Sequence, residues 1–477
     1  MDVLWQRQKH LYIILQTLPA RCRTITGQGH VSGNGDKSRP SRTLNLLVFQ
    51  SVNRAPTADE WRRFRRYAAR VVTLFVGGWR FVAVTPETIS FFGLQSTLDP
   101  LWPRLTSLRL ADGLSWDAIP FILTFLSPRV TSLTLTLPRD DSVLLQPLLS
   151  IASDKCRWLQ ELVLDVVTLD ALTINVVKDL IFACQDTLRT LNIRSPFWVG
   201  CLPIIANLPQ LRSLRLWGVY DSCDPPSNAF PSLEEVIILR FRGNWAQHFL
   251  KHLRTTRLKV VKIHGIDTTA FKVSTAALSR FLASLEVLEI SGVGSLDFPS
   301  AVVPHPLFTN LRTLYVGCLH WGDGTHLGPC AFQATGQAVA ELGAAIPSIA
   351  RLTLGNPTCP NLNCVTFLSL VSLSKTCQDL ETLMIGVDFR SMVGPSPHGS
   401  ETDVTSGRTQ SSLCKLRRLV FGLSTLPAIP DSEWVVAVGL EKIFPSLSEV
   451  VGSEQGNWEK VGEKIEILRR LHRTIQL

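Results

Sequence analysis

The densest group of possible metal ligands in the sequence follows a leucine-rich strand motif. Cys318, His320, Asp323, His326 and Cys330 could supply sulfur and imidazole ligands to a tetrahedral zinc ion. Their spacing, C-x-H-x5-H-x3-C, fits no common zinc finger, and interspersed glycines are typical of a turn-rich loop. We therefore expect a surface loop with scattered polar side chains and no bound metal.

A second pair of possible ligands is His248 and His252, which are four residues apart and would share one face of a helix. The zinc-peptidase motif needs a glutamate directly after the first histidine and a third ligand. Phe249 stands at that position here. The pair therefore predicts a solvated helix face.

A glycine cluster near the N-terminus, formed by Gly27, Gly29, Gly33 and Gly35, superficially suits a dinucleotide-binding loop. No apolar strand precedes it, and Pro40 follows where a helix should begin, so we interpret it as a flexible loop. The sequence also contains no P-loop, no G-x-S-x-G elbow and no deaminase-type zinc motif. It thus predicts no catalytic residue, no cofactor and no enzymatic activity.

The net charge of +9 is concentrated in the first seventh of the chain. Residues 1–70 hold 13 Lys and Arg against 4 Asp and Glu, whereas the remainder is neutral. Trp61, Phe64, Ala68 and Val71 would form one helix face, which predicts an amphipathic helix packed on the first repeat. The other faces carry Arg62, Arg63, Arg65, Arg66 and Arg70. A nuclear-import or nucleic-acid patch, or a membrane-surface role, is the alternative interpretation of this run.

The cysteines indicate a reducing compartment. There are 11 of them, an odd and scattered set without a Cys-x-x-Cys pair, which favours free thiols over a disulfide framework. The opening residues show no secretory signal, and the longest uncharged window, 355–374, is too polar for a membrane-spanning helix. We therefore expect the protein in the cytosol or nucleus.

An apolar-x-x-apolar-x-apolar motif recurs along the chain, with a mean spacing of about 29 residues, close to the upper end of the leucine-rich-repeat range. The copies at residues 44, 71 and 447 are weaker than the others. The motif begins at Leu44, Val71, Leu105, Val130, Leu159, Leu188, Leu211, Leu233, Leu258, Leu285, Leu311, Ile349, Leu380, Leu416 and Leu447.

Each repeat reads as a short strand, a turn and a helix or irregular stretch that must stack on its neighbours. Helical spacing is visible in Leu172, Val176, Val177, Leu180 and Ile181, and again in Leu278, Phe281 and Leu282. The sequence therefore predicts an α/β leucine-rich-repeat solenoid of roughly fourteen units. It would be a curved horseshoe with its parallel sheet on the concave side and helices or irregular segments on the convex side.

Three segments organise the predicted chain. Residues 1–43 would hold a linker helix and a flexible loop, and residues 44–457 the repeats, interrupted by a mobile loop at 394–412. Residues 458–477 would form a capping helix. Its apolar face would consist of residues at helical spacing, namely Trp458, Val461, Ile465, Leu468 and Leu471.

In each motif the first, fourth and sixth residues should face the core, whereas the third, the fifth and the residue after the sixth should face outward. Arg and large aromatic residues dominate binding hot spots, and several occur at these outward positions near the middle of the chain. The predicted partner-binding set is Arg194, Arg215, Trp217, Lys262 and Tyr315.

Two N-terminal strings, MDVLWQRQKHLYIILQTLPA from Met1 and DEWRRFRRYAARVVTLFV from Asp59, resemble segments of the fungal, mushroom-type F-box proteins with leucine-rich repeats. Asp2 to Trp5 match the end of that family's F-box. The second segment matches at Glu60, Trp61, Phe64, Tyr67, Ala68, Arg70, Val71 and Leu74. Because the chain starts where the F-box should end, we expect it to lack the residues that dock on a Skp-type adaptor.

The resemblance implies non-catalytic protein recognition by the repeats, as the substrate-binding arm of an F-box-type (SCF) ubiquitin-ligase receptor. A protein substrate would bind the concave face, and the Skp-type adaptor and cullin would join only if an F-box were restored upstream. One alternative is a leucine-rich-repeat interaction scaffold outside any ligase. A weaker alternative is nucleic-acid binding through the basic N-terminal segment.

Overall fold

The computed structural model of the protein describes most of the repeat region. The described residues are 23–25, 50–52, 57–76, 101–110, 119–137, 142–166, 171–194, 200–218, 226–227, 229–241, 245–265, 278–281, 283–292, 308–318, 335–355, 365–389, 414–421, 424, 426, 430–452 and 457–476. They form two compact units, the first from Met1–Gly218 with Ala229–Leu233, the second from Val219–Asn228 with Glu234–Leu477.

In the first unit, six parallel strands alternate with helices. The strands are β3 (Thr73–Val76), β4 (Ser107–Leu110), β5 (Ser132–Leu137), β6 (Glu161–Val166), β7 (Thr190–Ile193) and β8 (Ser213–Trp217). The helices are α1 (Ala58–Ala68), α2 (Ile119–Ile122), α3 (Ser142–Lys155), α4 (Ala171–Ala183) and α5 (Leu202–Ala206).

The second unit contributes eight parallel strands. They are β9 (Glu235–Phe241), β10 (Val260–Gly265), β11 (Val287–Gly292), β12 (Thr313–Cys318), β13 (Arg351–Leu354), β15 (Thr382–Ile385), β17 (Arg418–Val420) and β18 (Glu449–Val451). A small parallel pair joins β14 (Val365–Thr366) to β16 (Val387–Asp388). The helices are α6 (Trp245–His252), α7 (Gly336–Ala345), α8 (Phe367–Thr376), α9 (Ser432–Ile443) and α10 (Trp458–Gln476).

The predicted α/β class and the parallel pairing of the repeat strands are confirmed, and fourteen motif copies, from Val71 to Leu447, each supply one strand of the two runs. Neighbouring strands pair without a register slip at the motif: Leu108 lies opposite Leu133, and Leu162 lies opposite Leu191. The equivalent motif residues of neighbouring repeats therefore lie side by side in the sheet.

The alternation predicted for each motif is also confirmed by burial. The first, fourth and sixth residues of the motif at Leu105, which are Leu105, Leu108 and Leu110, are at most 1% exposed, whereas Ser107 and Arg109 between them reach solvent. The same pattern holds at Leu162 and Leu164 in β6. Successive strand side chains point to opposite faces, so one face packs under the helices and the other stays open.

A recurring turn leads into most strands. The amide of the first motif residue donates to the carbonyl of the residue three positions earlier, as in Leu159 to Cys156 at 3.1 Å and Leu447 to Phe444 at 3.0 Å. The residue that provides this carbonyl is buried in both cases. In these two repeats a tight turn therefore precedes the strand, and its apolar side chain extends the core.

Helix α1 packs as expected for the arginine-rich segment. Phe64 and Ala68 are fully buried, and the Phe64 ring meets Trp102 edge-on at 5.9 Å between centroids. Arg62, Arg63 and Arg66 are exposed. The apolar face of the helix thus rests on the first repeat, and the side chains of these three arginines reach solvent.

The C-terminal helix α10 buries Trp458, Val461 and Ile465. The Trp458 indole donates to the carbonyl of Ser424 at 3.0 Å and its ring lies 4.4 Å from that of Phe421. Leu471, expected on the apolar face, is instead 53% exposed, because the neighbouring His472 faces the preceding helix α9, with its Nδ1 atom 3.5 Å from Oε1 of Glu441.

Two further features differ from what the sequence predicts. Leu172, expected on the apolar face of α4, is 68% exposed, since it lies in the first turn, away from the buried row that contains Val177 and Leu180. The helical spacing near Leu278 is only partly described: Leu278 is helical and is followed by a 3₁₀ turn, Ser279–Phe281, whereas residues 266–277 lie outside the described residues. Near the N-terminus, β1 (Arg23–Ile25) pairs antiparallel with β2 (Gln50–Val52), a pair that the repeat motif does not predict. The Leu44 copy of the motif and the predicted loops at 27–42 and 394–412 lie outside the described residues.

Candidate functional site

In the first unit, three of the predicted partner-binding residues lie side by side on the outward sheet face. Asn192 pairs with Arg215 and Ile193 with Leu216, so Arg194 and Trp217 occupy the next equivalent positions on neighbouring strands. Arg194, Arg215 and Trp217 are all partly exposed. The register therefore places two guanidinium groups and an indole on one small area.

An ion pair holds the first of these cations. The Nη1 atom of Arg194 donates to Oδ2 of Asp165 at 2.9 Å, from one outward strand position to another. Both side chains keep solvent contact, at 38% and 28% exposure, so the pair adds only about 1 kcal/mol to stability. Its main effect is to orient the guanidinium group along the sheet.

The other two predicted residues, Lys262 and Tyr315, belong to the second unit and are separated by one strand. Lys262 lies opposite Glu289, and Glu289 lies opposite Tyr315. The Nζ atom of Lys262 donates to Oε1 of Glu289 at 2.7 Å. An ammonium group, a carboxylate and a phenol thus form one row across three strands.

Gly317, two residues after Tyr315, makes room for the phenol. A Cβ atom added at Gly317 would lie 2.9 Å from the Tyr315 hydroxyl oxygen and 3.1 Å from the carbonyl oxygen of Gly355. Beside it, Nδ1 of His264 lies 2.5 Å from Oγ of Ser291. The Tyr315 phenol therefore occupies the space that a larger side chain at position 317 would need.

The predicted set omitted the two carboxylates that orient its cations. Asp165 and Glu289 both occupy outward motif positions, so the alternation already placed them on this face. Hot-spot composition favoured Arg, Lys and aromatic residues and gave no weight to acids. Only the register between strands shows that each carboxylate faces a cation.

The possible metal ligands predicted from sequence are only partly described. Cys318 ends β12, and the other four members of that loop lie outside the described residues, as does the glycine cluster at 27–35. His252 is half-buried at the end of α6, and the His248 side chain is outside the described set. In the described part of the chain, no three His, Cys, Asp or Glu side chains form a metal-sized group.

Five cysteines in the described ranges are free and buried: Cys156, Cys184, Cys201, Cys377 and Cys414. Four of them are joined in pairs between neighbouring repeats. Sγ of Cys184 donates to the carbonyl of Cys156 at 3.3 Å, and Sγ of Cys414 donates to the carbonyl of Cys377 at 3.4 Å. Burial raises the pKa of Cys156 to about 12 and that of Cys184 to about 11. These thiols are packing groups and poor nucleophiles.

No helix within the described ranges is both long and apolar enough to cross a bilayer. Neither a scan of known protein families nor a search of curated proteins finds a match to this sequence.

Proposed function

We propose that the protein is a non-catalytic recognition protein that binds a protein partner on the outward face of its repeat strands. The observation that carries this proposal is a pair of oriented cations with partly exposed aromatic side chains nearby. Arg194 is held by Asp165 and lies beside Trp217. Lys262 is held by Glu289, and Tyr315 lies on the other side of that carboxylate. Held side chains lose little rotational freedom on binding, which favours affinity. Arg, Trp and Tyr are also the residues enriched in binding hot spots.

The repeats are proposed to be leucine-rich repeats, each run curving with its sheet on the concave side. Strands in a sheet are about 4.8 Å apart, whereas packed helices need about 8–10 Å, so a run with helices on one face bends toward its strands. Such a bend would turn the outward residues of neighbouring strands toward one bound partner.

As its biological setting, we propose the substrate-binding arm of an F-box-type ubiquitin-ligase receptor in the cytosol or nucleus. Support comes from the resemblance at Asp2 to Trp5 and Glu60 to Leu74, and the free buried thiols suit a reducing compartment. Recovery of a Skp-type adaptor with the protein isolated from its source cells supports the ligase setting. Recovery of partners without the adaptor supports a scaffold outside any ligase.

The recognition surface is tested by quantitative capture of partners with the substituted chain. A variant combining Arg215→Ala, Trp217→Ala and Tyr315→Ala should lose the proteins that the unsubstituted chain retains. The matched control, Leu368→Ser with Val435→Ser and Val438→Ser, changes three exposed residues on helices and should retain them. If the first variant kept every partner, the outward face would not be the recognition surface.

A further inference from the structure

The first unit has five exposed arginines where the chain enters its strands. They lie within two residues before, or directly after, the first residue of a motif, that is, in the turns at the amino-terminal edge of the sheet. This group, called the basic edge below, consists of Arg104, Arg129, Arg157, Arg189 and Arg212.

Hydrogen bonds show that these positions stack on one another from repeat to repeat. Nη1 of Arg129 donates to the carbonyl of Pro103 at 2.6 Å, which joins the turns before β4 and β5. The amide of Arg212 donates to the carbonyl of Arg189 at 2.8 Å, which joins β7 and β8. Between them, Thr187 Oγ1 donates to the carbonyl of Arg157 at 3.3 Å. The turns before β5 and β6 are joined by Sγ of Cys156, which donates to the carbonyl of Ser127 at 3.6 Å. The turns that carry the basic edge thus follow one another across five strands.

The charge of the basic edge is poorly compensated. Within the described part of the first unit, four of its five arginines, all except Arg212, have no carboxylate within ion-pair distance. At the equivalent positions of the second unit, positive and negative side chains form ion pairs. Lys259 pairs with Glu234 at 3.6 Å, and Lys415 pairs with Asp379 at 2.7 Å. Among the described turn positions of the first unit, Asp186 is the one carboxylate.

Two exposed aromatic side chains accompany these arginines. Trp158, directly after Arg157, is 63% exposed, and Phe182, in the last turn of α4 before Arg189, is 61% exposed. Neither side chain belongs to the core, so both expose a large apolar area to water. Arginine beside exposed tryptophan is the composition of a binding hot spot.

The length of the basic edge limits what it can hold. Five strands give four spacings of about 4.8 Å, or about 19 Å, which an extended peptide of about six residues spans. Residues 71–218 contain 12 Lys and Arg against 12 Asp and Glu, so their neutral balance gives a long polyphosphate little long-range attraction. A short acidic peptide needs only the local match of charge.

We propose that the basic edge binds an acidic, extended polypeptide segment of about six residues, with Trp158 packing against its apolar flank. This site lies at the turns and is separate from the outward strand face. It therefore holds or fails independently of the proposed recognition surface.

The test measures binding of a fluorescein-labelled octaglutamate peptide to the full chain by fluorescence anisotropy, at low and at moderate salt. A variant carrying Arg129→Glu, Arg157→Glu and Arg189→Glu should bind at least tenfold more weakly than the unsubstituted chain, because three carboxylate contacts become repulsions. Thermal unfolding of the variant should be nearly unchanged, since all three side chains are exposed.

The matched control carries Arg62→Glu, Arg63→Glu and Arg66→Glu, three exposed positions on α1 with the same change in net charge. It should bind the peptide within about twofold of the unsubstituted chain. Equal losses in both variants, absence of binding by the unsubstituted chain, or tighter binding of an eight-residue thymidine oligonucleotide than of the peptide would each overturn the proposal.

Discussion

At the scale of single residues, the buried thiols show how packing controls chemistry. Cys156, Cys184 and Cys414 have pKa values raised to about 11 or 12, with burial as the largest cause. A thiolate would have to lose its hydration in the core, so the neutral thiol is favoured. These side chains therefore act as small apolar residues that also donate weak hydrogen bonds to neighbouring turns.

The raised pKa values predict a loss of stability at alkaline pH. Above pH 9 the unfolded chain releases the thiol protons while the folded chain retains them, so the free energy of unfolding falls as pH rises toward the folded pKa. Each such thiol contributes a slope of about 1.4 kcal/mol per pH unit. Denaturant unfolding of the intact protein between pH 9 and 11 measures that slope.

The variant Cys156→Ala with Cys184→Ala serves as the control for this slope. It should be less stable at pH 7, because the core loses two sulfur atoms, but its stability should fall less steeply above pH 9. Parallel pH profiles for the two proteins would show that these thiols do not account for the alkaline loss.

At the scale of elements, the alternation of inward and outward residues predicts unequal effects of neighbouring substitutions. Leu162 in β6 is fully buried, whereas Val163 beside it is half-exposed. We expect Leu162→Ala to lower the free energy of unfolding by about 2–5 kcal/mol, through lost burial and a cavity. Val163→Ala should lower it by less than about 1 kcal/mol. Equal losses measured by denaturant unfolding would contradict the assigned faces.

The junction between β18 and α10 predicts opposite effects for two glycines. A Cβ atom at Gly452 would overlap Cδ1 of Trp458, which is held by the Ser424 carbonyl and the Phe421 ring. Gly452→Ala should therefore lower the free energy of unfolding by about 1–3 kcal/mol.

Gly462 lies within α10 with nothing within 4 Å of an added Cβ atom. Gly462→Ala should accordingly raise the free energy of unfolding by about 0.5–1 kcal/mol, because alanine favours helix. Thermal unfolding of the two variants side by side checks both signs. A stabilised Gly452 variant would mean that Trp458 does not cover this turn.

The sequence alone could predict the elements that depend on local pattern. The burial of Leu105, Leu108 and Leu110 follows from alternation within one strand, so the motif was enough to place it. The contact between Arg194 and Asp165 depends on the register of two strands 29 residues apart, which no local pattern fixes. The basic edge was not predicted for another reason. The alternation of the motif assigns outward positions only to strand residues, whereas the arginines of the basic edge lie in the turns that lead into the strands.

At the scale of the whole molecule, the net charge of +9 says less than its distribution. In the first unit, α1 carries exposed arginines on its solvent side, and the basic edge carries five more in the turns. On the outward strand face, Arg194 instead pairs with Asp165 and Lys262 pairs with Glu289. The chain thus offers two surfaces of different character, one charge-balanced and oriented, the other open and positive.

The central claim, that the outward strand face recognises a protein partner, is tested most directly by site-specific photo-crosslinking in extract of the source cells. A photoreactive residue is placed at Asn192, partly exposed on that face, or at Leu172, exposed on a helix. We expect Asn192 to give a defined set of cross-linked proteins that Leu172 does not give. The same proteins from both positions, or none from Asn192, would contradict recognition by the strand face.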